Sequence, residues 1–104
     1  MISKNTVRNV VDDIVREIKP DKVILFGSYA RKQQTPDSDL DVFVVARLRG
    51  TSSQRIRRVR RAITANGFGL DVVVRSPKQV KKSLAGRDWF VHEVFEEGKV
   101  LYER

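Results

Sequence analysis

Three short runs of large apolar residues, each bounded by turn residues, set the strongest limit on the fold of this chain. They cover residues 22–26, 40–46 and 70–74 and are rich in Val, Ile, Leu and Phe. Runs of this length between turn residues are typical of buried strands. A shorter apolar run at residues 100–102 predicts a last, short strand.

The segments between these runs have the spacing of amphipathic helices. In residues 6–18 an apolar residue recurs every three or four positions, Ser3 or Asn5 can cap the start, and Pro20 follows the end. Comparable patterns predict helices over residues 54–65, 77–84 and 88–97, and a short helix over residues 29–33.

The alternation of strands and helices predicts an α/β (α+β) fold with a small mixed sheet flanked by helices. We expect residues 1–104 to form a single domain, because the chain has the length of one. Only about a dozen residues join the first two predicted strands, so a parallel and an antiparallel pairing both stay open.

Composition excludes several kinds of site. Because the chain has no cysteine and one histidine, it has no disulfide, thiolate metal site or cysteine nucleophile, and a structural zinc site is implausible. No apolar stretch is long enough to span a membrane, and residues 1–8 lack the apolar core of a signal peptide, so we expect a cytosolic protein. The net charge of +8 attracts nucleic acid, triphosphates or an acidic protein without choosing among them, or simply keeps the protein soluble.

Two acids stand at the start of the second predicted strand. Asp39 and Asp41 share a face, since side chains two apart on a strand point the same way. Two carboxylates about 4 Å apart repel by very roughly 4 kcal/mol at an effective dielectric of 20. A bound cation would relieve this repulsion. Oxygen ligands alone indicate a hard ion, Mg²⁺ or Mn²⁺. Alternatively, the two acids lie at a solvated strand end where the repulsion is screened.

The turn after the first predicted strand has the residues of an anion site. Gly27 permits a tight turn and close approach of a ligand, and a helix starting at Ser28 would offer free N–H groups and a hydroxyl. Arg31 lies in the first turn of that helix, where a cation is useful if an anion binds. The alternative is an ordinary strand-to-helix turn capped by a serine.

A third acid, Asp71, lies near the start of the third predicted strand, where a carboxylate among apolar residues needs a reason. If this strand pairs beside the second, Asp71 lies next to Asp39 and Asp41. It could then complete a two-metal site and accept a proton from an attacking hydroxyl. Alternatively, it faces solvent and pairs with an arginine. Combined with the glycine–serine turn, the three acids predict a site for a metal-bound triphosphate.

The order of these residues resembles that of a known family. Gly27-Ser28, ten residues and Asp39-Leu40-Asp41 match the Gly-Ser-x10-Asp-x-Asp signature of the minimal nucleotidyltransferases in the DNA polymerase β superfamily. The resemblance extends through Phe26, the Tyr29-Ala30-Arg31 and Pro36-Asp37-Ser38 segments, Asp71 and the closing residues 90–102. One departure is Lys32, where the family often has glycine.

The resemblance implies a polymerase β-like fold and a transferase reaction. Asp39 and Asp41 would bind Mg²⁺ (or Mn²⁺), Asp71 would be the third acidic ligand, and Gly27 and Ser28 would hold the triphosphate of ATP. Short members of this family are similar to the antitoxin partners of HEPN-domain toxins, and can transfer AMP to a tyrosine of the toxin. The resemblance therefore implies a protein adenylyltransferase whose acceptor docks from another chain.

Other features have two interpretations each. The helix at residues 54–65 carries Arg55, Arg57, Arg58, Arg60 and Arg61, which form either a basic face for an acidic partner or nucleic acid, or a solvated surface. His92 is most simply a surface or structural residue. The aromatic residues Trp89, Phe90 and Phe95 are core residues, or in part a partner interface.

Two other functions compete with the enzyme. One is a non-catalytic antitoxin that neutralises its partner by binding alone, and the other is a small basic nucleic-acid-binding protein. Three clustered acids favour the enzyme, because a pure binder has no use for them. Nucleic acid is a less favoured partner because no aromatic residue is interleaved among the arginines.

Overall fold

A four-stranded mixed sheet organises the chain in the computed structural model, which describes residues 2–104. The elements are α1 (Lys4–Ile18), β1 (Lys22–Phe26), β2 (Leu40–Val45), α2 (Ser52–Ala62), β3 (Leu70–Arg75), α3 (Pro77–Ala85), α4 (Trp89–Glu97) and β4 (Lys99–Glu103). The predicted α/β class is confirmed, and most predicted boundaries lie within a few residues of the observed ones. The largest difference is at α2, which begins and ends two or three residues before the prediction.

The strand order is β3-β2-β1-β4. β1 pairs antiparallel with β2 and with β4, whereas β2 and β3 are parallel. The segment between β1 and β2 has no crossover helix, so the chain turns back on itself and the two strands run in opposite directions. β3 follows α2, which supplies the longer crossover connection that a parallel pair requires.

Polar side chains fix where the helices begin. Ser3 accepts a hydrogen bond from the Thr6 N–H at the start of α1, as one of the two predicted caps. Thr51 and Ser76 each form a capping box with the glutamine three residues later, at the starts of α2 and α3. Asp88 caps α4. These local bonds satisfy helix N–H groups that have no partner inside the helix.

The sheet has an apolar core on each face. α1 and α2 cover one face, and their core consists of Val10, Val11, Ile14, Ile18, Val23, Leu25, Leu40, Val42, Val44, Ala46, Val59, Ala62, Val72 and Val74. α3 and α4 cover the other face, where the buried residues are Ile24, Phe43, Val45, Val80, Val91 and Val94. Successive side chains of β1 and β2 thus alternate between the two cores, which explains why the strands are apolar throughout.

One acid is part of the first core. The Asp13 carboxylate is buried and accepts hydrogen bonds from the Thr64 N–H at 3.0 Å, the Thr64 hydroxyl at 2.9 Å and Arg16 at 2.7 Å. The hydrogen bond from the Thr64 backbone is the main reason that the pKa of Asp13 lies below its usual value. Asp13 therefore ties α1 to the chain just after α2 and has a structural role.

Candidate active site

The strand register places two of the predicted acids side by side. Asp41 of β2 is paired with Asp71 of β3 on one side and with Phe26 of β1 on the other. Phe43 and Val73, two residues further along the same strands, contact the α3/α4 core. Because side chains two apart share a face, Asp41 and Asp71 lie on the α3/α4 face, just beyond the edge of its core.

The Asp41 carboxyl group is half-buried and surrounded by negative charge. Burial, a hydrogen bond with the Asp71 side chain and the charges of Asp71 and Asp39 together raise the pKa of Asp41 to about 6. All these causes disfavour the ionised carboxylate, and a bound cation would favour it. The structure therefore brings together all three predicted acids closely enough for their charges to interact.

Two glycines leave room for these carboxylates. A Cβ atom on Gly27 would collide with the Asp41 carboxylate, with the Asp41 Cγ at 3.1 Å, and the backbone there has a φ of +73°. A Cβ atom on Gly69 would lie 2.6 Å from the Asp39 Cγ. Gly69 also accepts the hydrogen bond of the Leu40 N–H at 2.9 Å. The backbone thus packs directly against both acids of the Asp-x-Asp motif.

The sequence prediction missed Gly69. Its signal was present, since residues 67 and 69 are glycines directly before a strand that carries an acid. The close approach of Gly69 to Asp39 could not be predicted, because the two residues become neighbours only when β2 and β3 pair.

The three acidic side chains are not arranged as a complete set of metal ligands. Within residues 2–104, no three Asp, Glu or His side chains are arranged so that one ion could contact them all. The Asp41 and Asp71 carboxyl groups interact with each other, whereas the Asp39 carboxylate packs against Gly69. The chemistry of the donors nevertheless fits a hard divalent cation, since every candidate ligand is a carboxylate oxygen.

The predicted short helix at residues 29–33 is wrong. Residues 27–32 form consecutive turns, with the Arg31 N–H bonded to the Gly27 carbonyl at 3.2 Å and the Gln33 N–H bonded to the Ser28 carbonyl at 2.9 Å. Both Gly27 and Lys32 have positive φ, so a right-handed helix cannot extend through the segment. Any phosphate contact here would come from turn N–H groups and the Ser28 hydroxyl rather than from a helix terminus.

Lys32 has a φ of +57°, a conformation that glycine adopts without steric cost. This position is the one where the sequence departs from the resembling family, which often has glycine. The structure explains that preference, because the turn requires a left-handed residue here whatever its side chain.

Arg31 forms ion pairs with α4. Its guanidinium pairs with Glu93 at 3.0 Å and with Glu97 at 3.6 Å. These residues line a cavity of about 150 Å³ together with Phe26, Gly27, Phe90, Val94 and Gly98. The ring centroids of Phe90 and Phe26 are 5.5 Å apart. Because Phe26 is paired with Asp41 across the two strands, this cavity adjoins the acids.

The other residues that the sequence singled out here belong to α4. A ring nitrogen of His92 is 3.1 Å from the Gly86 carbonyl, which fits a structural role. Phe95 packs edge-on against Phe43 in the core, whereas Trp89 is 78% exposed and Phe90 is 40% exposed. Among residues 2–104, every helix is too short or too polar to span a bilayer.

Comparisons with known proteins identify the family that this chain resembles in sequence. The family described as polymerase beta nucleotidyltransferase matches residues 9–104. A Methanocaldococcus jannaschii protein, named as a protein adenylyltransferase, is 34% identical over 82 residues, which cover 78% of this chain and 77% of the relative.

Two solved structures share the fold. A Sulfolobus solfataricus protein described as a nucleotidyltransferase aligns with a TM-score of 0.67 at 19% identity, over 96% of this chain and 79% of the other. A chain of a toxin–antitoxin structure with AMP-PNP aligns with a TM-score of 0.69 at 21% identity, over 93% of this chain and 73% of the other.

Proposed function

Because this chain belongs to the polymerase β nucleotidyltransferase family and is a nucleotidyltransferase, we propose that it transfers AMP from ATP to a tyrosine of a partner protein. We further propose that the partner is a toxin of the HEPN class, that this chain is its antitoxin, and that the reaction requires Mg²⁺.

Two relatives support the nature of the acceptor and the nucleotide. The Methanocaldococcus jannaschii relative is named as an adenylyltransferase that acts on protein. A fold neighbour was solved as a toxin–antitoxin complex with AMP-PNP, an ATP analogue. A protein acceptor and ATP are thus the substrates that these similarities favour.

The observation that carries the proposal is the pairing of Asp41 with Asp71 across parallel strands, with Asp39 close enough to raise the pKa of Asp41. Such a concentration of like charge costs stability unless a cation is bound. Asp39, Asp41 and Asp71 would hold Mg²⁺, which when bound would neutralise charge on the triphosphate.

The glycine–serine turn and Asp71 have separate roles in the proposed reaction. The turn at Gly27 and Ser28 holds the phosphates beside Asp41, since its backbone already packs against that carboxylate. The tyrosine oxygen forms a bond to the α-phosphorus of ATP, and the bond from this phosphorus to the bridging oxygen breaks and releases pyrophosphate. Asp71, exposed at the edge of the sheet, accepts the proton of the hydroxyl.

The test is to incubate the protein with ATP, Mg²⁺ and the protein encoded next to it, and to measure the intact mass of that neighbour. We expect a mass increase that corresponds to one or more AMP groups, on tyrosine. The variant Asp39→Asn/Asp41→Asn keeps the size of both side chains and removes their charge, and we expect it to give no adduct.

A matched control is Asp12→Asn/Glu96→Gln, which removes two exposed acids that are not among the predicted site residues. We expect this variant to modify the partner at the wild-type rate. If the wild type inhibits the partner without adding mass, and the Asp39→Asn/Asp41→Asn variant inhibits it equally, the protein is a binding antitoxin and the proposed transfer is wrong.

A further inference from the structure

The arginine-rich helix α2 has no negative partner within the described part of the chain. It carries Arg55, Arg57, Arg58, Arg60 and Arg61 and no acidic residue. Within residues 2–104 no carboxylate lies within 4 Å of any of these five guanidinium groups, although other arginines form ion pairs. The Arg55 Nε is buried and has no hydrogen-bond partner. Like charges three or four residues apart destabilise a helix slightly, and a bound anion would relieve this repulsion.

Three of these arginines line one groove. Ser53, Ile56, Arg57, Arg60 and Arg61 surround a shallow depression of about 490 Å³. Their spacing of three and four residues puts them on one side of the helix. The lining combines one half-buried apolar side chain, Ile56, with three exposed arginines. Such a groove fits an extended segment that is acidic at several positions.

The groove adjoins the strand that carries Asp71. The Arg60 Nη1 donates a hydrogen bond to the Leu70 carbonyl, at 2.5 Å. Leu70 directly precedes Asp71, and β3 is one of the two edge strands of the sheet. A segment bound along α2 therefore lies beside the β3 edge, on the face of the sheet opposite to the Asp71 side chain, and reaches Asp71 by passing round this edge.

We propose that the α2 groove binds an acidic segment of the acceptor protein, whose chain then passes round the β3 edge and brings the acceptor hydroxyl to Asp71. This inference rests on the proposed transfer to a protein. The guanidinium group pairs with a carboxylate through two parallel hydrogen bonds, which makes arginine better suited than lysine to this role. An acidic peptide fits better than nucleic acid, because no aromatic residue lines the groove to stack on bases.

The test compares binding of a short, fluorescein-labelled, Glu-rich peptide containing one tyrosine with binding of a Ser-rich peptide containing the same tyrosine. Fluorescence anisotropy without nucleotide measures affinity. We expect the wild type to prefer the Glu-rich peptide, and Arg57→Gln/Arg61→Gln to bind it about tenfold more weakly. Arg60 is left in place because its hydrogen bond supports β3.

The control variant Arg8→Gln/Lys81→Gln removes the same net charge from exposed positions on α1 and α3. We expect it to change the affinity by less than about twofold, so that the general attraction of a basic protein is separated from the groove. Equal losses in the two variants, or no preference of the wild type for the Glu-rich peptide, would overturn the proposal.

Transfer of AMP to the same peptides separates this proposal from the proposed function. We expect Arg57→Gln/Arg61→Gln to raise the KM for the Glu-rich peptide with kcat unchanged. If the peptide binds at the groove but no acceptor is ever modified, the groove stands and the proposed transfer fails. A single-stranded RNA that binds the groove more tightly than the peptide does, and loses affinity in the same variant, would make α2 a nucleic-acid surface and overturn the proposal.

Discussion

Asp41 lies where a fully buried strand reaches solvent, and its acidity follows from that position. The strand residues after it are buried, and its neighbour on β3, Asp71, is also acidic. The backbone at Gly27 lies so close that a side chain at position 27 would collide with the Asp41 carboxylate. The carboxyl group is partly removed from water and lies beside negative charge. Its raised pKa is the result of both constraints.

Asp41→Asn is therefore expected to stabilise the metal-free protein at neutral pH. The pKa of Asp41 is about 6 in the folded protein against a normal value of 3.8. Between these values the folded state holds a proton that the unfolded state has lost, so the stability of the wild type falls as pH rises through this window. The full shift corresponds to roughly 3 kcal/mol. Because Asp41 is partly exposed, we expect screening to leave about 1 kcal/mol.

The measurement is the free energy of unfolding in urea with EDTA, at pH 4 and pH 7, for the wild type and for Asp41→Asn. The two proteins should have similar stabilities at pH 4, and the variant should be the more stable at pH 7. A variant that is less stable than the wild type at pH 7 would contradict this explanation of the charge cluster.

Gly69→Ala tests the contact between the backbone and Asp39. The new methyl group would lie 2.6 Å from the Asp39 Cγ, so the carboxylate has to move. We expect AMP transfer to fall by about tenfold or more, since small displacements of catalytic groups are costly, with little loss of stability. Gly86→Ala is the matched control, because its Cβ would have its nearest neighbour at an ordinary 3.4 Å. Equal activity of the two variants would show that the position of Asp39 is not critical.

At the scale of elements, the glycine–serine turn and α4 are linked by one arginine. Arg31 is the predicted phosphate ligand in the turn, yet it pairs with Glu93 and Glu97 of α4. These pairs are about half-exposed, so each contributes little to stability. Binding of a triphosphate by Arg31 would have to compete with them.

We expect Glu93→Gln/Glu97→Gln to bind ATP with Mg²⁺ about two- to fivefold more tightly, because Arg31 no longer has to leave two carboxylates. The stability of the free protein should change by less than about 1 kcal/mol. Isothermal titration calorimetry gives the affinity, and Arg31→Gln in the same background should remove the gain. Unchanged or weaker ATP binding in the double glutamine variant would argue against Arg31 as a phosphate ligand.

At the scale of the whole molecule, the site exists because three strands bring distant parts of the chain together. Gly27 follows β1, Asp41 belongs to β2 and Asp71 belongs to β3. Only β2, which Asp39 directly precedes, contributes more than one acid to the site. A ligand that bridges these strands stabilises the whole sheet, because it binds only the folded state.

We therefore expect ATP and Mg²⁺ together to raise the melting temperature by on the order of 10 °C at concentrations well above the Kd. Either ligand alone should have a much smaller effect, and removal of the metal with EDTA should reverse the increase. Differential scanning fluorimetry of the wild type and Asp39→Asn/Asp41→Asn measures this, and the variant should show no increase. An equal increase with ATP in EDTA would contradict a metal-dependent site.

The secondary structure of this protein depends mainly on residues close together in the sequence, and it could therefore be predicted from the sequence. The strands and helices follow from apolar spacing, and caps such as Ser3 and the glutamines of the two capping boxes act within four residues. The Gly-Ser and Asp-x-Asp segments identified the acids and the family for the same reason, since their order along the chain is itself the signal.

Tertiary structure decided what depends on which strands pair. The antiparallel pairing of β1 with β2, the contact of Gly69 with Asp39 and the two pairs of Arg31 with α4 join residues that local spacing does not connect. The turn at residues 27–32 also took a form that spacing alone could not predict, because two positive φ angles replaced a helix. Spacing along the chain determines the helices and strands. The negative charge around Asp41 is determined only by the pairing of β2 with β3, which places Asp71 beside it.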